Sequence, residues 1–318
     1  MVTPERQLIE GIRRAAAKTR NSAVECGIGD DCALLRLPAN SRLLVTTDMC
    51  IEDIHFRREW HPARSVGHRC LARGLSDIAA MGGEPLACFL SLAIPSDLPQ
   101  RWVKDFMGGL LHLANLFRTP LSGGDTSAAE KITADIVVLG QVPAGAALLR
   151  SKARPGDRIC VTGELGESPA TLERLYSGEK ISATTSNRHF YPTPRIEVGR
   201  WLRKNKLATA MIDISDGLSV DLAHICQESR VDGVVHLEAI PIAKGADLSL
   251  ALHGGEDYEL LFTAPKSAKL PKRIGGVPIT EIGEILAKRT KQTTVRSIDS
   301  AGRLKPLRPA GWEHFSRN

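Results

Sequence analysis

Aromatic residues are scarce in this chain: Phe, Trp and Tyr make up 4% of its 318 positions. That excludes the stacking platform with which proteins read single-stranded nucleic acid. No apolar run approaches the ~20 residues of a membrane-spanning helix. The start, Met1–Glu10, is polar and lacks the apolar core of a secretory leader, so a cytoplasmic location is expected. Cys-x-x-Cys spacing is absent and the cysteines number seven, which argues against a disulfide framework or a zinc knuckle. Cys26, Cys32, Cys50, Cys70, Cys88, Cys160 and Cys226 are expected to be buried small hydrophobes. There is no G-x-x-x-x-G-K-[ST] loop, no G-x-S-x-G elbow and no H-E-x-x-H pair, which removes the P-loop, the hydrolase elbow and the zincin. Gly27-Ile28-Gly29 opens like a dinucleotide fingerprint, but Cys32 stands where the third glycine belongs.

What is present is an ordinary globular composition, 42% hydrophobic and 25% charged. Lys+Arg 42 against Asp+Glu 36 leaves a net charge of +6. The basic residues are scattered, as at Arg13, Arg57, Lys104 and Lys204, so they form no nucleic-acid face. The acids gather in a few glycine-containing turns.

Periodicity places strands at 42–48, 86–94, 132–142, 158–162, 208–213, 234–237 and 258–263. Helices are expected over 61–81, 98–117, 168–175, 194–205 and 219–229. Gly123–Thr126 reads as a turn. A seam rich in Pro and Gly, residues 143–157, separates two halves. The expectation is an α+β protein of two α/β domains, 1–147 and 148–318, since strands and helices mix without strict alternation.

Five acidic turns stand out: Gly29-Asp30-Asp31, Thr46-Thr47-Asp48, Ser76-Asp77, Gly124-Asp125-Thr126 and Asp213-Ile214-Ser215-Asp216-Gly217. An Asp beside Gly is ordinarily a turn residue or a helix cap. Asp77 differs, because it lies in an Ala- and Leu-rich helix and needs a partner if buried. Hydroxyls and carboxylates at strand ends are hard oxygen donors suited to Mg²⁺ bridging substrate phosphates. Gly254-Gly255-Glu256-Asp257-Tyr258-Glu259 leads into an apolar strand, where two glycines let backbone come close to a ligand. His55 alone would more commonly be structural.

The runs GIGDDCAL, TTD with IHF, LSDIAAMG, GGDT, RSKARPGD, DISDGL and HGGEDYELLFT follow one another between residues 27 and 263. In this order they resemble the thiamine-monophosphate kinase family. The closing 310–315, AGWEHF, is similar to that family's aromatic C-terminal motif. The resemblance implies the fold of the aminoimidazole-ribonucleotide-synthetase-like superfamily, with N-terminal halves pairing into a homodimer. It implies ATP as co-substrate, several Mg²⁺ ions and thiamine monophosphate as acceptor. Asp31, Thr46, Thr47, Asp48, Asp77, Asp125, Asp213 and Asp216 match metal positions, with Asp30 beside them. Gly124, Asp125, Arg150 and Ser215 match nucleotide positions, and Phe117 lies where a Tyr often meets the adenine. His55, Glu256 and Trp312 match acceptor positions. Asp53, Cys50 and Ser127-Ala128 depart from the pattern without touching the aspartates.

The resemblance implies a simple chemistry. The acceptor oxygen belongs to a phosphate monoester whose second pKa is about 6, so it is already ionised and needs no general base. The obstacle is repulsion, about 4 kcal/mol for each pair of unit charges 4 Å apart at an effective dielectric of 20. Metal ions held by carboxylates would offset it. Trp312 would cover the cationic thiazolium ring. Two other readings stand beside this one: a selenophosphate-synthetase or hydrogenase-maturation type of ATP-dependent activation, and a nucleotide-binding homologue without turnover.

Overall fold

The computed structural model describes residues 5–29, 31–184, 187–290 and 292–311. Among these, the chain divides into two units. One takes the residues up to Ile78, Gly83–Gly145 and 182–193; the other takes Ala79–Gly82, Ala146–Ile181 and the chain from Pro194 onward.

Alternation of apolar and polar residues builds the sheet of the first unit. Its elements are α1 (Glu5–Ala16), β1 (Val24–Cys26), β2 (Leu34–Leu35), β3 (Ser41–Ile51), α2 (Ala63–Ala80), β4 (Glu84–Ile94), α3 (Gln100–Leu116), β5 (Leu121–Ala128) and β6 (Thr133–Pro143). The main sheet runs β3-β6-β4-β5, antiparallel except for the β4–β5 pair. Along β6, Ala134, Ile136, Val138, Gly140 and Val142 are buried while the residues between them are half-covered. The buried row meets α2, where Gly74 lies against Val138 and Gly140 against Ile78, and α3 in turn lies on α2; Val66, Cys70, Leu71 and Leu75 of α2 and Phe106, Leu110 and Leu113 of α3 are buried too. Leu43, Val45 and Met49 of β3 lie on the opposite face and are exposed, as a pleat of period two requires. The segment 123–126, expected as a turn, is instead the middle of β5. Its paired glycines remove the apolar pattern that marks a strand, yet the backbone still pairs with β4.

The second unit comprises β7 (Arg158–Thr162), α4 (Glu167–Tyr176), α5 (Ile196–Lys204), β8 (Met211–Asp213), α6 (Leu218–Ser229), β9 (Asp232–His236), α7 (Leu248–His253), β10 (Leu260–Ala264), β11 (Arg273–Ile274), β12 (Val277–Leu286), β13 (Val295–Ile298) and β14 (Leu304–Pro306). Its sheet runs β14-β13-β9-β12-β7-β10-β8, with β11 paired to β12. A core of Ile159, Val161, Leu218, Leu222, Ile225, Leu261, Ile282 and Ile285 fastens α6 to that sheet. Five cysteines are buried as expected; Cys26 is half-buried and Cys32 exposed, because both flank the glycine loop outside the core.

Candidate functional site

Strand β3 and helix α2 bring three of the expected metal donors together. Thr46 and Asp48 are two apart on β3 and so share its helix-facing side. The Thr46 hydroxyl donates to the Asp77 carboxylate of α2. Asp77 thus has the partner that its position in an apolar helix demands. Burial and the neighbouring Asp77 push the Asp48 carboxyl up to about 6, against the pull of Arg73. Arg73 Nε lies 3.5 Å from Asp48 Oδ1. Thr47 is exposed on the other face of β3 and stands apart from this cluster.

A second group forms around the glycine loop. A cavity of about 760 Å³ is lined by Arg13, Ile28, Asp31, Phe89, Gly124 and Asp125 among others. Gly124 has φ 148°, and a Cβ there would run into the Leu90 carbonyl; only glycine lets β5 pass so close to β4. Asp125 Oδ1 accepts from the Thr126 N–H at 2.9 Å. Phe117 is the C-cap of α3 and does not line this cavity. His55 sits in the turn after β3, where its Nδ1 accepts the Ile51 N–H at 3.1 Å. The ring proton therefore resides on Nε2, which acts as a donor.

In the second unit the acids are held by backbone. Asp213 ends β8 and is buried; Ser215 and Asp216 follow in the turn to α6. The N–H groups of Ser215, Asp216 and Gly217 all donate to Asp221 Oδ2, at 3.2, 3.2 and 3.1 Å. Burial, then Asp213 and Asp216, push Asp221 up to about 8 although those N–H groups pull it down. The same turn is bonded to the glycine-acid segment: Glu256 N–H donates to Ser215 O at 2.8 Å and Tyr258 N–H to Ile214 O at 2.9 Å. A Cβ at Gly255 would run into the Ser215 carbonyl. Glu256 and Tyr258 have φ of 63° and 51°, a left-handed conformation that non-glycine residues adopt at some cost. The residue between them, Asp257, accepts the Gly166 N–H at 2.7 Å and so caps α4. Below them, buried Glu259 accepts from Thr162 Oγ1 at 2.5 Å and from Arg195 Nε at 2.7 Å.

Arg150 opens a single 3-10 turn, Arg150–Lys152, and its carbonyl accepts from Ser229 Oγ at 2.7 Å. Gly311 lies against the Asp216 carbonyl. Asp30 and Trp312 fall outside the described residues.

The donors are hard oxygens, and Asp48 lies beside the carboxylate of Asp77, so the chemistry fits Mg²⁺. Among the described residues, no three His, Cys, Asp or Glu side chains gather closely enough to hold an ion unaided. Mg²⁺ held by one or two carboxylates, water and phosphate needs no such group. Sequence reasoning missed Arg73 and Asp221. Each has a signal: Arg73 is four residues before Asp77 on one helix, and Asp221 follows the turn at capping distance.

Two family descriptions match most of the chain. AIR synthase related protein, N-terminal domain, matches residues 29–142, and the corresponding C-terminal domain matches residues 154–296. A thiamine-monophosphate kinase from Salmonella typhimurium is 41% identical over 281 residues, covering 83% of this chain and 85% of that protein. The crystal structure of thiamine-monophosphate kinase from Stenotrophomonas maltophilia K279a is similar at a TM-score of 0.79 and 34% identity, covering 93% of this chain and 97% of that one. A solved complex of AaThiL with AMPPCP and TMP has a TM-score of 0.77 at 32% identity, covering 98% of this chain and 97% of that one.

Proposed function

The chain belongs to the thiamine-monophosphate kinase family of AIR synthase related proteins, and from that premise we propose that it transfers the γ-phosphoryl group of ATP to thiamine monophosphate, giving thiamine diphosphate and ADP. The geometry that carries this reading is the Thr46–Asp77 pair beside Asp48. There, hydroxyl and carboxylate oxygens from a strand and a helix gather where burial holds Asp48 at about 6.

Asp31, Thr46, Asp48, Asp77, Asp125, Asp213 and Asp216 are the proposed donors toward Mg²⁺; Thr47, on the opposite face of β3 from Thr46 and Asp48, would serve through its backbone. Bound Mg²⁺ would neutralise phosphate charge and align the two reacting groups. Gly124, Asp125, Arg150 and Ser215 are assigned to the nucleotide, with Phe117 assigned to the base. His55 donates through Nε2–H to the acceptor, and Glu256 offers it a carboxylate. Trp312 completes the acceptor assignment. No residue is assigned as general base, because the acceptor phosphate is ionised at neutral pH. The domains are proposed as 1–147 and 148–318.

The partner in assembly is a second copy of the chain. Leu43, Val45 and Met49 form an exposed apolar row on the open face of β3, the kind of surface that association covers. No described helix is long and apolar enough to cross a membrane, and the proposed location is the cytoplasm.

The test is direct. Purified protein with ATP, Mg²⁺ and thiamine monophosphate should yield thiamine diphosphate by chromatography, and free thiamine in its place should yield none. Absence of product from the monophosphate overturns the reading.

A further inference from the structure

The guanidinium of Arg73 lies against the acid cluster of β3 and α2. Helix α2 is apolar toward the sheet, through Val66, Cys70, Leu71, Leu75 and Ile78. A charged side chain in that setting loses water and needs a partner. Arg73 is 16% exposed in its side chain and lies 3.5 Å from Asp48. It is also four residues before Asp77, on the same helix face. Thr46 ties Asp77 to β3, so strand, helix and guanidinium meet at one level.

The charge balance follows. Asp48 and Asp77 carry two negative charges when ionised, and Arg73 returns one positive charge at contact distance. A bare divalent cation approaching these donors meets a cation already in place. A divalent cation carried on a nucleotide polyphosphate is part of a net anion, which the guanidinium attracts. We propose that Arg73 is a resident counter-cation that disfavours loading of a bare divalent ion at Asp48 and Asp77, so that the cluster accepts the ion together with the nucleotide phosphates. Arg73 is thereby a positioning and selectivity residue acting through Asp48. The inference rests on Asp48 and Asp77 being metal donors.

The probe is Mn²⁺, measured by electron paramagnetic resonance on nucleotide-free protein, with folding followed by circular dichroism. Arg73→Gln should bind Mn²⁺ alone at least about tenfold more tightly than the parent, the scale of repulsion between a unit and a double charge about 6 Å apart even in bulk water. The complex of Mn²⁺ with a non-hydrolysable ATP analogue should gain nothing or weaken. Arg73→Lys, which keeps the charge, should stay near the parent. An unchanged or weakened affinity of folded Arg73→Gln for bare Mn²⁺ overturns the inference. If Arg73→Gln does not fold, Arg73→Met keeps the aliphatic stem and carries the same two outcomes. Asp48→Asn separates the two failures. If it leaves Mn²⁺ binding intact, Asp48 is no metal donor and the premise of the inference falls. If it abolishes binding while Arg73→Gln matches the parent, only the role of Arg73 falls.

Discussion

The two units hold their acidic residues by different means. In the first, Asp48 and Asp77 are restrained by side chains: a threonine hydroxyl across from one and a guanidinium beside the other. In the second, the turn of Asp213 and Asp216 is restrained by backbone, with three N–H groups converging on Asp221 and two more bonds from the glycine-acid segment. A helix start of that kind usually receives an outside anion. Here the chain's own carboxylate fills it, so the turn presents oxygens rather than N–H groups to a ligand. Side-chain restraint can be altered one charge at a time, whereas backbone restraint fails as a unit.

That contrast can be broken at several points. The largest effect should come from Asp48→Asn or Asp125→Asn, which should cut turnover by about 10²–10³-fold with the circular dichroism spectrum intact. Near-normal turnover in both would remove the first unit's acids from the chemistry. Asp221→Leu should cost about 3 kcal/mol in chemical denaturation, since three N–H groups lose their acceptor. Asp221→Asn, which keeps an acceptor oxygen, should recover most of that loss. If both variants are equally unstable, charge rather than backbone restraint governs the turn.

Acid should act on the first unit through a buried imidazole. Burial lowers His68 from 6.5 to about 4, and its Nε2–H donates to the Pro192 carbonyl at 2.8 Å. Between those two pKa values the unfolded chain binds the proton and the folded one does not. Stability is therefore full above pH 6.5 and falls as pH drops toward 4, by about 3 kcal/mol in all. His68→Gln should flatten that part of a denaturation series; an unchanged slope would exclude His68 as its source. The smallest effect belongs to Arg101→Gln. Its pair with Asp105 is exposed at 91% and 50%, and the melting temperature should be essentially unchanged.

Much of this was readable before any coordinates. The apolar alternation of β6 and the apolar stripe of α2 place both elements within a few residues of their observed ends. Strand β5 was not readable, because Gly123-Gly124 erases the pattern while serving a close backbone approach. Strands β12 to β14 and helix α1 also went unread. Within the site, the resemblance groups Thr46, Thr47 and Asp48 together, and the observed pleat of β3 turns Thr47 to the other face. The Thr46–Asp77 bond was not readable, since it joins residues 31 apart that only the packing of α2 on the sheet brings together. For Arg73 the sequence carries only its spacing to Asp77; its approach to Asp48 comes from the packing of α2 on β3. The excess of positive charge thus hides an exception, a cation placed among the acids.

Label transfer tests the central claim most directly. ATP labelled in its γ-phosphate, mixed with thiamine monophosphate, Mg²⁺ and the full chain in a single turnover, should pass its label to the terminal phosphate of thiamine diphosphate, one ADP forming per product. Label released only as inorganic phosphate, with no labelled thiamine diphosphate, would contradict the account.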